Sequence, residues 1–316
     1  MRKLDVPAPN PHVRRWIRRE LAAAPPRASS LIITVWGDAI APHGGAVMLG
    51  GLIELLARFG INERLVRTSV FRLARESWLA AKPVGRESLY RLTRDGARRF
   101  EQAYRRIYDA PVERWDASWE VVVAERPSAN ERRALRQELG WEGFGTIAPD
   151  VFVRPARAPS AIARIAAALG LAGKIAVVRA FDDAALGGET LASAVPRAWD
   201  LDGVASDYRR FIARFGGVIQ RFRNSGDDAH DPAQSFLVRT LLIHEYRRVL
   251  LRDPQLPASL LPLDWPGAAA YALCRDFYRL THRAAERHLL ATLRTDRGTL
   301  PPASPGFYRR FGGLER

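Results

Sequence analysis

Between residues 49 and 77 the apolar positions follow helical spacing in two successive runs. The first run, residues 49–59, is almost entirely apolar, whereas the second, residues 63–77, carries its apolar residues on one stripe. The short segment Gly60-Ile61-Asn62 separates them. Asn62 is placed to cap the second run, because its side chain can accept a hydrogen bond from an unpaired backbone N–H. The pattern predicts two helices joined by a tight turn.

Two short segments with strand propensity follow the second predicted helix. The strands are predicted at residues 78–82 and 88–92, and the polar segment 83–87 forms the turn between them. Helix, short turn, helix and hairpin is the order of elements in the winged helix-turn-helix, whose second helix enters the major groove of DNA. We therefore predict an N-terminal winged helix-turn-helix domain over residues 28–110.

The second predicted helix has two different faces. Val66, Val70 and Leu73 form its apolar stripe, with Ser69 and Ser77 beside it, and arginines dominate the opposite side. Such a face suits contacts with phosphates and guanines, although an arginine-rich face that only meets solvent is the alternative. The adjacent hairpin favours DNA. The predicted DNA-binding residues are Arg64, Arg67, Thr68, Ser69, Arg72, Arg75, Lys82 and Arg86.

The segments on either side of these elements are predicted from weaker signals. Residues 29–40 are predicted as the first helix of the domain, although their β-branched residues are also compatible with a strand. Thr93 is placed to cap a helix over residues 94–108. Residues 1–27 form a basic arm with a short helix at residues 12–21. The arginines of that helix can follow DNA phosphates, or can face solvent while its apolar residues pack, and the second interpretation is slightly favoured.

After residue 111 the pattern changes to a mixture of strands and helices. Ser128 and Glu131 form a capping box at the start of one helix. The predicted order is strand, helix, strand, strand, helix and strand, at residues 119–124, 128–139, 143–148, 151–154, 160–169 and 174–181. This order is typical of the ferredoxin-like fold. We therefore predict a ferredoxin-like middle domain over residues 111–186.

The remainder of the chain is predicted to be helical. Helices are expected at residues 200–214, 231–251 and 266–294, within a C-terminal domain over residues 187–294. The proline- and glycine-rich residues 295–316 are expected to form a loose tail. The predicted fold class is therefore α+β with several domains.

The net charge of the chain is +15 over 316 residues, which favours a polyanionic partner. An arginine excess that only reflects genome composition is the alternative. Residues 1–110 contain 20 Lys and Arg against 10 Asp and Glu, so about two-thirds of the charge lies in about one-third of the chain. Because a uniform codon bias would not concentrate charge in this way, the distribution favours nucleic acid at the N-terminal part.

Several classes of protein find little support in the sequence. The single cysteine, Cys274, excludes an intramolecular disulfide and a cysteine-based zinc site. His244 and Glu245 begin an HExxH-like segment, but Arg248 occupies the position of the second histidine. There is no nucleophile elbow, Walker A loop or dinucleotide fingerprint. We therefore expect no enzymatic activity, no metal, no membrane span and a cytoplasmic location.

The segment 60–73 closely resembles the PaaX family of bacterial repressors, which control phenylacetate catabolism. The resemblance continues at residues 85–93, where Glu87 and Leu89 depart from the pattern of the family. It covers residues 28–290 in all, and in the middle domain it extends to a Cas2-like fold. The resemblance implies a homodimer that binds a palindromic operator in double-stranded DNA. The alternative function is RNA binding or nuclease activity through the middle domain.

The resemblance also implies release from DNA by phenylacetyl-CoA or a related aryl-CoA thioester, with no other cofactor. Such a ligand needs arginines for its phosphates and aromatic side chains for its acyl group. The predicted effector-binding residues are His244, Arg248, Arg252, Trp265 and Tyr271. Arg248 and Arg252 would share a helix face if their helix continues that far. A buried polar network around His244 that holds helices together is the alternative.

Overall fold

The computed structural model describes residues 9–110, 115–157, 161–183, 188–224 and 230–315. The chain divides into two compact units. Unit 1 contains residues 1–110, 211–247 and 269–316, and unit 2 contains residues 111–210 and 248–268. These units differ from our division into consecutive domains, because residues 187–294 contribute to both.

Unit 1 begins with helices that pack through one apolar side each. Asn10 caps the first helix and accepts hydrogen bonds from the backbone of His12 and Val13. The second helix continues as a π-helical turn and a 3-10 turn, so the segment predicted at residues 29–40 is helical. The elements are α1 (Pro11–Ala23), α2 (Ala28–Val35, extended by Trp36–Ile40 and Ala41–His43), α3 (Leu49–Ala57) and α4 (Glu63–Arg75).

The predicted arm at residues 1–27 is a packed helix over the part that the structure describes. Val13, Trp16 and Ile17 are buried in α1. The ring of Trp16 lies 5.5 Å from that of Phe215, and Arg214 forms an ion pair with Glu20 at 2.7 Å. The arginines of α1 face solvent. The interpretation that favoured packing is therefore confirmed for this helix.

A three-stranded antiparallel sheet follows, with the strand order β1-β3-β2. Its strands are β1 (Ala46–Met48), β2 (Leu79–Val84) and β3 (Glu87–Leu92). The predicted turn at residues 83–87 was too long, because Val84 pairs with Glu87 and only two residues remain between the strands. Gly85 occupies a left-handed conformation there, with φ of +59°. Strand β1 was not predicted, since three residues are too few to show alternation.

The helix after the hairpin, α5 (Arg94–Tyr108), begins and ends where the sequence predicts. The side chain of Thr93 accepts a hydrogen bond from the backbone N–H of Gly96 at 2.9 Å. Thr93 also donates its backbone N–H to the carbonyl of Trp78 at 3.2 Å. The start of α5 is thus joined to the start of the hairpin.

Unit 2 contains a four-stranded antiparallel sheet with the order β5-β6-β4-β7, which confirms the ferredoxin-like arrangement. The capping box of Ser128 and Glu131 forms as predicted. The start predicted at residue 160 lies outside the described residues. The elements are β4 (Ser118–Ala124), α6 (Ala129–Trp141), β5 (Gly145–Ala148), β6 (Val151–Pro155), α7 (Ile162–Ala168) and β7 (Ile175–Phe181).

The sheet of unit 2 has an apolar layer on each face. On one face Val122 and Phe152 pack with the helices α6 and α7. On the other face Trp119 and Val153 pack with residues of the later segments, including Val195. The later elements of the chain are α8 (Val195–Ala198), α9 (Leu201–Arg223), α10 (Pro232–Leu250), α11 (Gly267–Thr292), β8 (Arg294–Thr295), β9 (Gly298–Thr299) and α12 (Pro305–Tyr308).

Two C-terminal predictions need correction. Helix α9 extends to Arg223 instead of residue 214, because Phe215, Val218 and Phe222 continue its buried stripe past two glycines. The expected loose tail at residues 295–316 is wrong for the described residues. Leu300, Phe307, Phe311, Leu314 and Arg310 are buried there. None of the described helices is long and apolar enough to cross a membrane.

Candidate nucleic-acid interface

Helix α4 is positioned by its apolar stripe and by its cap. Val66, Val70 and Leu73 are fully buried, as predicted. The side chain of Asn62 accepts a hydrogen bond from the N–H of Leu65 at 2.9 Å, which confirms the predicted cap. The stripe and the cap together fix which side of the helix meets solvent.

The two serines beside this stripe differ from the prediction. Ser69 is buried, so the structure removes it from the set of side chains that can reach DNA. Ser77 lies beyond the end of α4, is exposed and has a φ of +60°.

The opposite side of α4, which we call the α4 face, is exposed and basic. It consists of Arg64, Arg67, Thr68, Phe71, Arg72 and Arg75. Phe71 is 62% exposed, so an aromatic ring stands among the arginines without being packed. Leu65 is also 48% exposed, which the sequence analysis did not anticipate. Exposed apolar side chains beside arginines provide contacts for sugars and for thymine methyl groups.

Two arginines of the α4 face have acidic neighbours within the helix. Arg67 donates to Glu63 at 2.8 Å, and Arg72 lies 3.8 Å from Glu76. Arg72 also donates to the hydroxyl of Ser29. Exposed pairs of this kind contribute only about 0.3–0.5 kcal/mol, so a phosphate can replace the carboxylate.

Arg64 and Arg75 have no such partner within the described part of the chain. Both guanidinium groups are exposed at the same helix surface. A ligand can therefore bind these two guanidinium groups without first displacing a carboxylate from them.

The hairpin presents the remaining predicted contacts. Arg86 occupies the two-residue turn and is exposed, at the end of the hairpin farthest from its base. Lys82 is exposed on β2 and lies 3.6 Å from Asp296. Helix α4 and the hairpin are consecutive elements of unit 1, and Trp78 N–H donates to the carbonyl of Leu73 at 2.9 Å where they meet.

The five predicted effector residues are divided between the two units. His244 and Tyr271 belong to unit 1, whereas Arg248, Arg252 and Trp265 belong to unit 2. The buried ring of His244 lies 2.9 Å from the hydroxyl of Thr34, and Tyr271 donates to the carbonyl of Tyr108 at 3.3 Å. His244 therefore fits the alternative interpretation, a buried contact that holds helices together.

The condition for a shared helix face of Arg248 and Arg252 is not met, because α10 ends at Leu250. Arg252 donates to Asp207, and it also reaches Asp200 at 3.3 Å. Trp265 packs edge-on against Tyr208, with ring centroids 5.9 Å apart. Arg252 and Trp265 thus already have structural contacts in unit 2.

A buried network in unit 1, which we call the Asp38 network, was not anticipated from sequence. Arg310 donates to the backbone carbonyl of Asp38 at 2.7 Å. Arg239 lies 3.4 Å from the carboxylate of Asp38 and 3.3 Å from Glu286. His43 completes the chain of contacts, 2.7 Å from Glu286. Two buried arginines therefore share two carboxylates.

Two tyrosines complete the Asp38 network. The hydroxyls of Tyr108 and Tyr278 donate to Asp38 at 2.5 and 2.9 Å. Burial raises the pKa of both tyrosines, so both remain protonated donors. Burial alone would raise the pKa of Glu286, but the hydrogen bond from His43 and the charge of Arg239 hold it below the usual value.

Next to this network lies a cleft of about 300 Å³ within unit 1. Five aromatic residues contribute to its walls, and Asp38 and Arg310 belong to its lining. The aromatic residues are Trp78, Phe100, Tyr104, Tyr108 and Phe307. The sequence analysis placed Trp78 in a strand and Phe307 in a loose tail, and it placed the other three in one helix. It could not show that they converge.

Comparisons with known proteins agree along the length of the chain. Residues 27–96 match the family described as PaaX-like protein, residues 112–192 match the PaaX protein central Cas2-like domain, and residues 199–291 match the PaaX-like protein C-terminal domain. The Cas2-like match agrees with the sheet order of unit 2.

Two individual proteins are similar over most of their lengths. The transcriptional repressor PaaX of Escherichia coli strain K12 is 33% identical over 299 residues, covering 95% of this chain and 94% of that protein. The structure of the uncharacterized protein Rv0674 from Mycobacterium tuberculosis shares 26% identity with a TM-score of 0.53, covering 83% of this chain and 98% of its own. The chain belongs to the family of PaaX-like proteins.

Proposed function

We propose that this chain is a transcriptional repressor that binds double-stranded DNA through a winged helix-turn-helix. The α4 face would enter the major groove, and Arg86 on the hairpin would contact the phosphate backbone beside it. The observation that carries the proposal is the exposed α4 face, with five cationic or hydroxyl side chains and an unpacked phenylalanine, directly before a hairpin. The name of the Escherichia coli relative supports repression.

A second copy of the chain would be needed to read a palindromic operator. We place the contact at β7, which pairs with β4 on one side and with no other strand among the described residues. β7 exposes Val177, Val178 and Phe181, whereas natural edge strands are usually charged or covered. Two antiparallel β7 edges can meet around a two-fold axis, which is the symmetry of a palindrome.

The variant Val178→Lys tests this contact by sedimentation. We expect the wild type to sediment as a dimer and the variant as a monomer with weaker operator binding, because each copy would bring a positive charge to the apolar edge. Leu263→Lys is the matched control, since Leu263 is also an exposed apolar residue but lies away from the edge. A variant that remains dimeric would place the contact elsewhere.

The regulated genes would encode the catabolism of an aromatic acid such as phenylacetate, and phenylacetyl-CoA or a related aryl-CoA thioester would release the repressor. This part of the proposal is supported by the match of residues 199–291 to the C-terminal domain of the family. Release requires that the ligand bind the DNA-free conformation more tightly than the DNA-bound one.

A gel-shift experiment with the DNA upstream of the gene and with structured RNA separates this proposal from the RNA-binding alternative. Repressor function predicts a DNA shift that weakens steeply with salt, by about 0.9 logarithmic units per phosphate contact for each logarithmic unit of salt. Arg64→Ala should weaken the shift, and Arg133→Ala, an exposed arginine on α6 in the Cas2-like domain, should not. An RNA shift that is lost only in Arg133→Ala would favour the alternative.

A further inference from the structure

The cleft in unit 1, which we call the α5 cleft, runs from the surface to the Asp38 network. Ala97, Arg99 and Glu101 line it on the exposed side of α5. Tyr108, Phe307 and Arg310 line it where the protein is fully buried. A ligand can therefore enter beside α5 and place one end against buried groups, as small-molecule sites usually require.

The walls of the α5 cleft suit a flat aromatic ring. Trp78 and Phe100 meet edge to face with centroids 5.4 Å apart, and Tyr104 and Tyr108 lie 4.7 Å apart. Aromatic rings prefer such tilted and edge-on contacts with one another. A volume of about 300 Å³ admits an aryl-acyl group, but it is too small for coenzyme A as well.

The polar groups of the cleft favour a ligand whose buried end carries no charge. The two buried arginines of the Asp38 network are balanced by Asp38 and Glu286, so the floor offers no surplus charge to a free carboxylate. Nε of Arg310 has no hydrogen-bond partner within the described residues, and it is buried. A carbonyl oxygen, such as that of a thioester, can supply the missing acceptor without adding charge once the side chains that cover Nε move aside.

The mouth of the cleft differs from its interior, because it presents an exposed arginine. Arg99 is exposed there, and its guanidinium stacks 4.9 Å from the ring of Trp78. Arg247 also lines the cleft, and it donates to Ser30 at 3.2 Å. An anionic carrier attached to the acyl group would therefore meet arginines, while the ring occupies the interior.

Trp78 connects the α5 cleft to the DNA-binding elements. Its backbone N–H donates to Leu73 of α4, and its carbonyl accepts from Thr93 at the start of α5. The backbone of Trp78 and the first turn of α5 are tightly packed, because a Cβ on Gly96 would lie 2.2 Å from the carbonyl oxygen of Trp78. A ring bound beside Trp78 and Phe100 can therefore move Trp78 only together with the end of α4 and the start of α5.

From these observations we infer that the α5 cleft binds the aromatic acyl group of an acyl thioester, and that binding there alters the position of α4 and the hairpin. The inference rests on the proposed release by an aryl-CoA thioester and assigns it a site. It is a different proposal from the five residues predicted from sequence, which are divided between the two units.

The site is located directly with a photoreactive ligand, 4-azidophenylacetyl-CoA, on the full-length protein. After illumination and digestion, the label should appear in peptides that contain residues 33–42, 97–108 or 304–310, and excess phenylacetyl-CoA should remove it. Label confined to other peptides, for example those of residues 248–268, would overturn the inference.

A filled cleft provides the second test. Ala103→Trp places a large ring inside the cleft, and Ala213→Trp places the same ring on an exposed position of α9. We expect calorimetry to show phenylacetyl-CoA binding at least about tenfold weaker in Ala103→Trp only. Equal ligand affinity in the two variants would overturn the inference. If Ala103→Trp does not fold, the labelling experiment decides.

The outcomes also separate this inference from the proposed function. Label in the cleft without release of DNA would support the site and contradict release by a thioester. Release of DNA with label elsewhere would support the effector and overturn the site. If phenylacetyl-CoA neither binds nor labels the wild-type protein, both are overturned.

Discussion

The arginines of α4 and the arginines of the Asp38 network are the same side chain in opposite surroundings. Arg64 and Arg72 are exposed, and their neighbours are solvent or easily exchanged carboxylates. Arg239 and Arg310 are fully buried and share Asp38. A buried guanidinium keeps its proton and must keep a partner, whereas an exposed one remains available to a ligand. A count of arginines along the sequence therefore shows where positive charge lies. It does not show which arginines stabilise the fold and which are available to bind a ligand.

The largest expected effect comes from removing residues 1–110. The division into consecutive domains predicts a folded remainder, but unit 1 also contains residues 211–247 and 269–316. The deletion takes Asp38 away from Arg239 and Arg310 and exposes the apolar faces of α10 and α11. We expect a remainder that lacks fixed tertiary packing, measured by near-ultraviolet circular dichroism and dye binding. A single cooperative unfolding transition with native signal would contradict this.

Arg310→Ala tests whether the buried arginines of the Asp38 network stabilise the fold. It leaves the carboxylate of Asp38 with one fewer cation and opens a cavity between Tyr108 and Tyr278. Breaking a buried pair in this way costs about 3–5 kcal/mol, so urea should unfold the variant at a clearly lower concentration. Arg309→Ala is the matched control, because Arg309 is the exposed neighbour in sequence and should change stability by less than about 0.5 kcal/mol. Equal midpoints for the two variants would remove the structural role of Arg310.

Arg64→Ala and Arg72→Ala test the exposed member. Each should weaken specific DNA binding by about 1–3 kcal/mol if it contacts base edges, with no change in the urea midpoint. Fluorescence anisotropy with operator DNA measures the affinity, and Arg133→Ala on α6 serves as the control. Wild-type affinity in both variants would show that the α4 face is not the recognition surface.

The smallest expected effect concerns His288, a buried histidine whose folded form is neutral at pH 7. Burial, and then the charge of Arg58, lowers the pKa of His288 from 6.5 to about 4, while Asp231 partly opposes them. The unfolded state therefore takes up the proton first as pH falls, so stability present above pH 6.5 decreases toward pH 4. His288→Gln should reduce this loss by about 0.7 kcal/mol between pH 7 and pH 6, measured by urea unfolding at each pH. An unchanged pH profile would contradict the assignment.

Local signals explain most of what the sequence predicts correctly. Asn62, Thr93 and Ser128 each cap a helix within three residues, so their effect is visible without the fold. The apolar stripe of α4 likewise follows from spacing alone. These elements determine the α4 face, and the exposed arginines follow from it.

The parts that the sequence does not reveal depend on distant residues. Asp38 and Arg310 are 272 positions apart, and no periodicity connects them. Arg310 stands in a proline- and glycine-rich segment whose composition is typical of a loose tail, yet its charge balances a carboxylate near the other end of unit 1. The α5 cleft is hidden for the same reason, because its walls combine α2, α5 and residues 304–310.

The contact between Asp38 and Arg310 also has a consequence for the order in which the protein is made. On the ribosome, α2, α4 and the hairpin emerge long before residue 310 is translated. During that time Asp38 lacks the guanidinium group of Arg310. Contacts of such large sequence separation form late and slowly. The ferredoxin-like sheet of unit 2, whose strands lie within residues 118–181, can close in the meantime. A nascent chain would thus fold its ferredoxin-like sheet first, and the elements around Asp38 would become stable only when translation is almost complete.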